Sequence, residues 1–247
     1  MARRALEKSE LEHRENDLLR VARRLFLTKG IDGLTMERLA ASTKYSKGTV
    51  YQHFSSKEDV LAALCVETGK LRHRFLERAA LFKGRSRERA LAAAKADYLV
   101  YRLHPDYWRA EQLMDVLSLT SKISPERRAS LDAMVERSAG IALGIIRDGI
   151  SSGDLVLPAG LTPEKLLMAL FGLARGLYLF NADDAAVAKW TSDLPATQQQ
   201  LFSCACDGFG WHPFRQDWDY DETVQRIWRE VFPVEAAQLG LLGKPVA

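Results

Sequence analysis

From Glu12 to Lys29 the apolar positions are Leu18, Val21, Ala22, Leu25 and Phe26, an i, i+3, i+4, i+7, i+8 series that predicts a helix with one buried face. Gly30, directly after Lys29, supplies its end. Thr35 then caps a short helix through Glu37, Leu39 and Ala40, and Ser46 caps another from Val50 to Phe54, with about four residues between them. Two short helices across a tight turn make a helix-turn-helix pattern. Ser55, with Glu58 three residues on, reads as a capping box. It opens a longer helix through Leu61, Leu64, Cys65, Leu71 and Phe75 toward Phe82.

The rest of the chain keeps the helical period, broken at residues 84–86 (GRS), 104–106 (HPD) and 124–125 (SP). Ser124-Pro125-Glu126 and Thr162-Pro163-Glu164 each place a capping hydroxyl before proline at the first helical position, with an acid in the first turn. The Gly-, Ser- and Pro-rich stretch from Gly149 to Gly160 is expected to be the turn between two long helices. No period-2 run of any length occurs, and the fold class is all-α. The helix from Thr162 to about Asn181 is apolar nearly all round, which calls for cover from a second subunit as well as from its own chain. Candidate dimer-interface residues are Leu166, Leu170, Gly172, Leu173, Gly176 and Leu177, with Phe202 and Cys206 from the following helix. Gly172 and Gly176, four apart on one face, permit close approach of another helix, whether a partner's or one of the same subunit.

Composition adds limits. The chain has 247 residues and a formal net charge of +3. Residues 1–60 hold 12 of the 35 Lys and Arg but only 9 of the 32 Asp and Glu, so the whole positive excess lies in the first quarter, as a phosphate-binding module or a solvated face requires. The longest nearly unbroken apolar stretch, Leu166 to Ala174, is too short to cross a bilayer. The N-terminal MARRALEKSE has no apolar segment behind its basic residues, and three cysteines are too few for a disulfide scaffold. A cytoplasmic protein with no membrane partner is expected. Arg3, Arg4 and Lys8 form either a solvated tail or an arm that reaches a minor groove.

The stretch LTMERLAASTKYSKGTVYQHFSSKEDVLAALC, Leu34 to Cys65, with the preceding helix, resembles the DNA-binding domain of TetR-family transcriptional regulators over roughly residues 12–65. The residues alone suit that chemistry. Lys47, Tyr51, His53 and Lys57 are cations or hydrogen-bond donors around a short helix whose Val50 and Phe54 face inward, and Gly48 lets its backbone lie close to a duplex. The resemblance implies that Thr35, Tyr51, His53 and Lys57 anchor phosphates, while Tyr45, Ser46, Lys47, Gly48, Thr49 and Gln52 face the groove. One departure stands out. The family usually has Ala-Gly-Val in the turn where this chain has Thr43-Lys44-Tyr45, so either Lys44 takes a left-handed backbone or the turn is rearranged.

The resemblance implies a division into a helix-turn-helix domain, residues 1–60 with a flexible tail over 1–11, and a helical effector-binding and dimerisation domain, residues 61–247. In the latter, Tyr98, Tyr101, Arg102, Trp108, Gln112, Phe171, Arg175 and Tyr178 are candidates to line a pocket for a mainly apolar small molecule, or are core packing. Arg175 inside an apolar helix calls for an anion, from a ligand or from a partner subunit. Cys204 and Cys206 lie about 200° apart around a helix and, with His212, lack a fourth metal ligand, so no metal or cofactor is expected. No nucleophile elbow, phosphate loop or HExxH motif is present, which argues against an enzyme. Two functions remain. One is a homodimeric repressor released from a pseudo-palindromic operator by a ligand, and the other is a DNA-binding regulator or architectural protein that acts without one.

Overall fold

The computed structural model describes residues 2–116, 119–180, 185 and 187–242, with the side chains of 2–8, 115, 116 and 120 left aside. Among these residues the chain forms α1 (Ala2–Gly33), α2 (Met36–Ala41), α3 (Lys47–His53), α4 (Lys57–Ala80), α5 (Ser86–Leu103), α6 (Pro105–Val116), α7 (Pro125–Ser152), α8 (Pro163–Leu177), α9 (Leu194–Gly208), α10 (Tyr220–Glu230) and α11 (Pro233–Gln238). Short 3₁₀ turns cover Leu119–Lys122 and Val187–Lys189. The described residues hold no strand, only an isolated antiparallel bridge between Leu155 and Trp211. None of their helices is long and apolar enough to cross a membrane. Two compact units result: Met1–Leu71 with His104–Val135, and Arg72–Leu103 with Glu136–Ala247.

In the first unit the apolar stripe of α1 packs as its period predicts. Leu18, Leu19, Ala22 and Leu25 bury against Leu34, Leu39, Val50, Phe54, Val60 and Leu64. A second cluster joins Phe26, Leu61 and Cys65 to Ala110, Met114 and Leu119. The first helix begins at Ala2 rather than near Glu12, because residues 2–12 contain only helix-compatible side chains and no breaker. Arg3, Arg4 and Lys8 lie outside the described side chains. Gly30 breaks the helical path with φ +66°, and a final turn to Gly33 follows.

The cap of α4 differs by one residue from the sequence expectation. Ser56 Oγ, not Ser55, accepts from the N–H of Asp59 at 3.1 Å, and the Asp59 carboxylate accepts from the Ser55 N–H at 3.1 Å. Asp59 is nearly fully buried, where it also accepts from the backbone N–H and hydroxyl of Ser124. A buried carboxylate needs donors, and Ser55 and Ser124 provide them, so Asp59 and not Glu58 takes the capping role.

The second unit has its core in Ile145, Ile146, Leu155, Leu166, Leu170, Cys206 and Trp211. Thr162 caps α8 by accepting from Lys165 N–H at 3.3 Å, with Pro163 at the first helical position. α8 ends at Leu177; the expected end near Asn181 lies outside the described residues. Gly149 is not in a turn. It sits inside α7, where an added Cβ would meet Ser86 Oγ at 2.9 Å and the Trp211 indole nitrogen at 3.1 Å, so its missing side chain makes room for Trp211. The turn starts instead at Gly153, whose φ is +80°. The aromatic segment after α9 is ordered around Arg87. That buried guanidinium donates to Asp207, to the carbonyls of Ser203, Trp211 and Pro213, and lies 4.5 Å from the Tyr220 ring centre. Four acceptors and an aromatic face satisfy a charge that would otherwise be costly to bury.

Candidate nucleic-acid interface

The geometry of α2 and α3 follows from their caps. Thr35 Oγ1 accepts from Arg38 N–H at 3.2 Å, and Ser46 Oγ accepts from Thr49 N–H at 3.1 Å and lies 2.9 Å from Thr49 Oγ1. These local bonds start each helix where the sequence places its hydroxyl. Val50 and Phe54 are fully buried, which fixes the rotation of α3 about its axis. That rotation leaves Ser46, Lys47, Gly48, Tyr51 and Gln52 exposed together, with Thr49 and Lys57 half-buried beside them. Gly48 opens onto free space, its built Cβ meeting only Ser46 Oγ at 3.7 Å. Lys47 donates to Glu37 of α2 at 2.8 Å, an exposed pair that raises the lysine's pKa and lowers the glutamate's through the shared hydrogen bond. Such a pair opens readily when a phosphate or base edge offers itself.

Two of the expected DNA-facing residues are placed otherwise. The Tyr45 hydroxyl donates to Asp17 of α1 at 2.9 Å, and its ring packs against the first-unit core. This bond is the first cause of the depressed Asp17 carboxyl pKa; the hydrogen bond from Arg20 and the charges of Arg20 and His13 add to it. The imidazole of His53 is buried, with Nδ1 3.9 Å from Glu15 and Nε2 without a hydrogen-bond partner among the described residues. It lines a cleft of about 380 Å³ with Tyr51, Gln52, Ser124 and Arg127. Arg127 in turn pairs with Glu15 at 2.9 Å and lies over the Phe54 ring.

The turn without glycine is held by its side chains. Thr43 Oγ1 donates to the Ala40 carbonyl at 3.1 Å and accepts from the Tyr45 N–H at 3.3 Å. Lys44 Nζ approaches Asp17 to 3.8 Å. Asp17 is therefore an anchor of the turn that local sequence reading missed. It lies 28 residues from Tyr45, and only its i, i+3 spacing to Arg20 hinted at a structured surface acid.

In the second unit a cavity of about 820 Å³ opens between α5, α8, α9 and α10. Tyr98 and Tyr178 line it. Tyr101 stacks on Tyr178, ring centres 4.7 Å apart and planes 9° from parallel, and Arg102 donates to the Tyr98 hydroxyl. Burial raises the pKa of both Tyr98 and Tyr178. Phe171 and Arg175 pair with each other at 5.3 Å away from the cavity wall, and Phe171 is exposed. Trp108, buried, and Gln112, half-buried, belong to the first unit.

Lys95 is the cavity residue the sequence reading passed over, although a lone lysine in the run Ala92 to Ala96 was a visible signal. Burial drives its pKa down to about 8, against the opposing pull of Asp221. Of the expected dimer residues, Leu166, Leu170 and Cys206 sit in the core of their own unit, and burial pushes the Cys206 thiol up to about 12. Leu173, Gly176, Leu177 and Phe202 are half-buried, and Gly172 is exposed. Nothing lies within 4 Å of a Cβ built on Gly172 or Gly176. Met168, Phe171 and Leu201 are exposed on α8 and α9.

Comparison with known proteins agrees with this geometry. Residues 18–64 match the family of bacterial regulatory proteins, tetR family. Over 59 residues, 24% of this chain and 31% of the other, the sequence is 39% identical to the HTH-type transcriptional repressor AcnR of Corynebacterium diphtheriae. The chain thus spans about a third of the length of the curated relatives it matches. A tetR-family regulatory protein from Rhodococcus RHA1 superimposes with a TM-score of 0.61 at 20% identity, covering 80% of this chain and 97% of that one. The structure of AibR in complex with isovaleryl coenzyme A and operator DNA does so with a TM-score of 0.57 at 19% identity, covering 80% and 99%. At such identities these structures share the fold.

Proposed function

We infer that this chain, a tetR-family regulatory protein by the match of its residues 18–64, is a sequence-specific DNA-binding transcriptional regulator that works as a homodimer and is released from its operator by a small molecule. The observation that carries the DNA-binding reading is the rotation of α3. Burying Val50 and Phe54 turns Ser46, Lys47, Gly48, Tyr51 and Gln52 outward as one surface. A short helix with an exposed glycine in its first turn and cations and hydroxyls around it suits the major groove, with Thr35, Tyr51 and Lys57 on the flanking phosphates.

A second copy is supported by the exposed face of α8, where Met168 and Phe171 flank the open Gly172. A twofold dimer presents two recognition helices to half-sites about 34–36 Å apart, one turn of DNA. In this reading residues 1–60 read the operator and residues 61–247 hold the effector and the partner subunit. The cavity lined by Tyr98 and Tyr178 favours a ligand-responsive regulator over one without a ligand. A ligand that binds one of two conformations more tightly shifts the population toward it, and repression ends when that conformation no longer spans the operator. The structure of AibR carries both a small molecule and operator DNA, which supports a coupled reading for a protein of the same fold.

Fluorescence-anisotropy titrations on operator duplexes test the assignment. Lys47→Ala is expected to change the order of preference among operator variants, and Tyr51→Phe to weaken binding to all of them equally. Unchanged affinities in both variants would remove α3 as the reading element.

A further inference from the structure

The cavity between α5, α8, α9 and α10 is lined by rings and contains an amine whose hydrogen-bonding capacity is only partly used. Lys95 Nζ donates to Gln199 Oε1 at 2.8 Å and lies 5.8 Å from the ring centres of both Tyr98 and Trp228. An ammonium has three N–H donors, and among the described residues Gln199 is the one acceptor that Lys95 holds. Arg215 is the second cation on the wall; its backbone N–H donates to Asp207, and its guanidinium has no partner among the described residues.

The acids of the same wall are already engaged. Asp221 Oδ1 accepts from Gln199 at 2.7 Å, so that Lys95, Gln199 and Asp221 form a relay. Asp193 Oδ1 caps α9 through Ala196 N–H at 3.0 Å, and Asp219 Oδ1 caps α10 through Glu222 N–H at 2.9 Å. Each of these carboxylates has one oxygen engaged within the fold, whereas Lys95 and Arg215 keep N–H donors to spare.

The spare donors bear on the charge of a ligand that the cavity would take. A cationic ligand would meet Lys95 on the same two rings that would otherwise receive it. A neutral apolar ligand would seal the ammonium away from water with one hydrogen bond and bring no acceptor for its remaining donors. An anion at Lys95 meets the spare donors with charge-assisted bonds, and the aromatic walls accept a flat ring beside it. We propose that this cavity binds a small aromatic carboxylate, its carboxylate on the Lys95 ammonium and its ring against Tyr98 and Trp228. The proposal names the effector class of the regulator inferred above and rests on that reading for its biological meaning, but not for its binding chemistry.

Calorimetric titration of the full-length protein at pH 7 with three probes of one ring and different charge tests it: 2-naphthylacetate, 2-naphthylacetamide and 2-(2-naphthyl)ethylammonium. The carboxylate is expected to bind at least tenfold more tightly than the amide or the ammonium. Lys95→Met, which removes a charge and keeps an unbranched apolar stem, is expected to bring the carboxylate to the affinity of the amide and leave the amide unchanged. A preference smaller than tenfold, a preference that survives Lys95→Met, or no binding of any probe at 1 mM overturns the proposal. Operator binding by the same preparation without probe is measured in parallel. Retained operator binding with failed calorimetry overturns the carboxylate and leaves the regulator standing, whereas carboxylate binding without any operator binding supports the site and overturns the regulator.

Discussion

Gly48→Ala separates the stability of α3 from its function. Gly48 is the second residue of this seven-residue helix, and a Cβ built there finds its nearest neighbour, Ser46 Oγ, at 3.7 Å, an ordinary contact. Nothing in the free protein opposes the methyl group. Alanine in place of a helical glycine gains about 0.5–1 kcal/mol, and near a helix end the lower figure applies. With α3 in the major groove as proposed, the same methyl group would enter the space between the helix backbone and the duplex. Overpacking a close contact costs about 1–3 kcal/mol, equivalent to roughly 5- to 150-fold in affinity. Thermal unfolding and anisotropy titrations at one fixed salt concentration read the two effects separately. A variant that is more stable and binds an operator as tightly as the parent would refute the close approach of α3 to DNA. A variant that is less stable would refute the local geometry itself.

Three further outcomes are expected. If Lys57 holds a phosphate as proposed, Lys57→Ala should flatten the plot of log affinity against log salt by about 0.9 for each bound subunit; an unchanged slope removes Lys57 from the phosphate set. Gly172→Leu should leave the melting temperature of the subunit nearly unchanged, because the position is open, and should weaken the dimer in sedimentation equilibrium; a dimer of undiminished affinity shows that α8 packs elsewhere. Lys95→Met should stabilise the protein at pH 7. The folded pKa of Lys95 is about 8 against an ordinary 10.5, so the unfolded chain holds the extra proton between these values. The penalty of the buried charge is full below about pH 8 and is relieved as pH rises toward 10.5. For this half-buried side chain facing Asp221, the gain at pH 7 is on the order of 1–3 kcal/mol. Denaturant midpoints for parent and variant should converge by about pH 10.5, and a constant gap across pH would contradict this origin.

Much of the helical framework was legible because its signals are local. The hydroxyls of Thr35, Ser46 and Thr162 cap helices through bonds to residues three positions on, a distance a sequence pattern spans. The failures came where a distant residue decides between local options. Ser55 and Ser56 are each followed three residues later by an acid, and Asp59 takes the capping role because Ser124 reaches it from 65 residues away. Gly149 belongs to a Gly- and Ser-rich stretch, but Trp211 claims its missing side chain for packing inside a helix. Tyr45 is drawn to Asp17, and His53 to the side of Glu15, by partners in α1 that no turn pattern predicts. The cavity was half legible. Aromatic spacing pointed to Tyr98 and Tyr178, while Lys95, Trp218 and Trp228 meet there only because α10 packs on α5.

Selection of bound sequences from a random duplex pool by the purified protein tests the central claim most directly. An enriched inverted repeat, with half-site centres one turn of DNA apart, is the predicted result for a symmetric dimer that reads through α3. A pool left without enrichment at low salt would contradict sequence-specific binding.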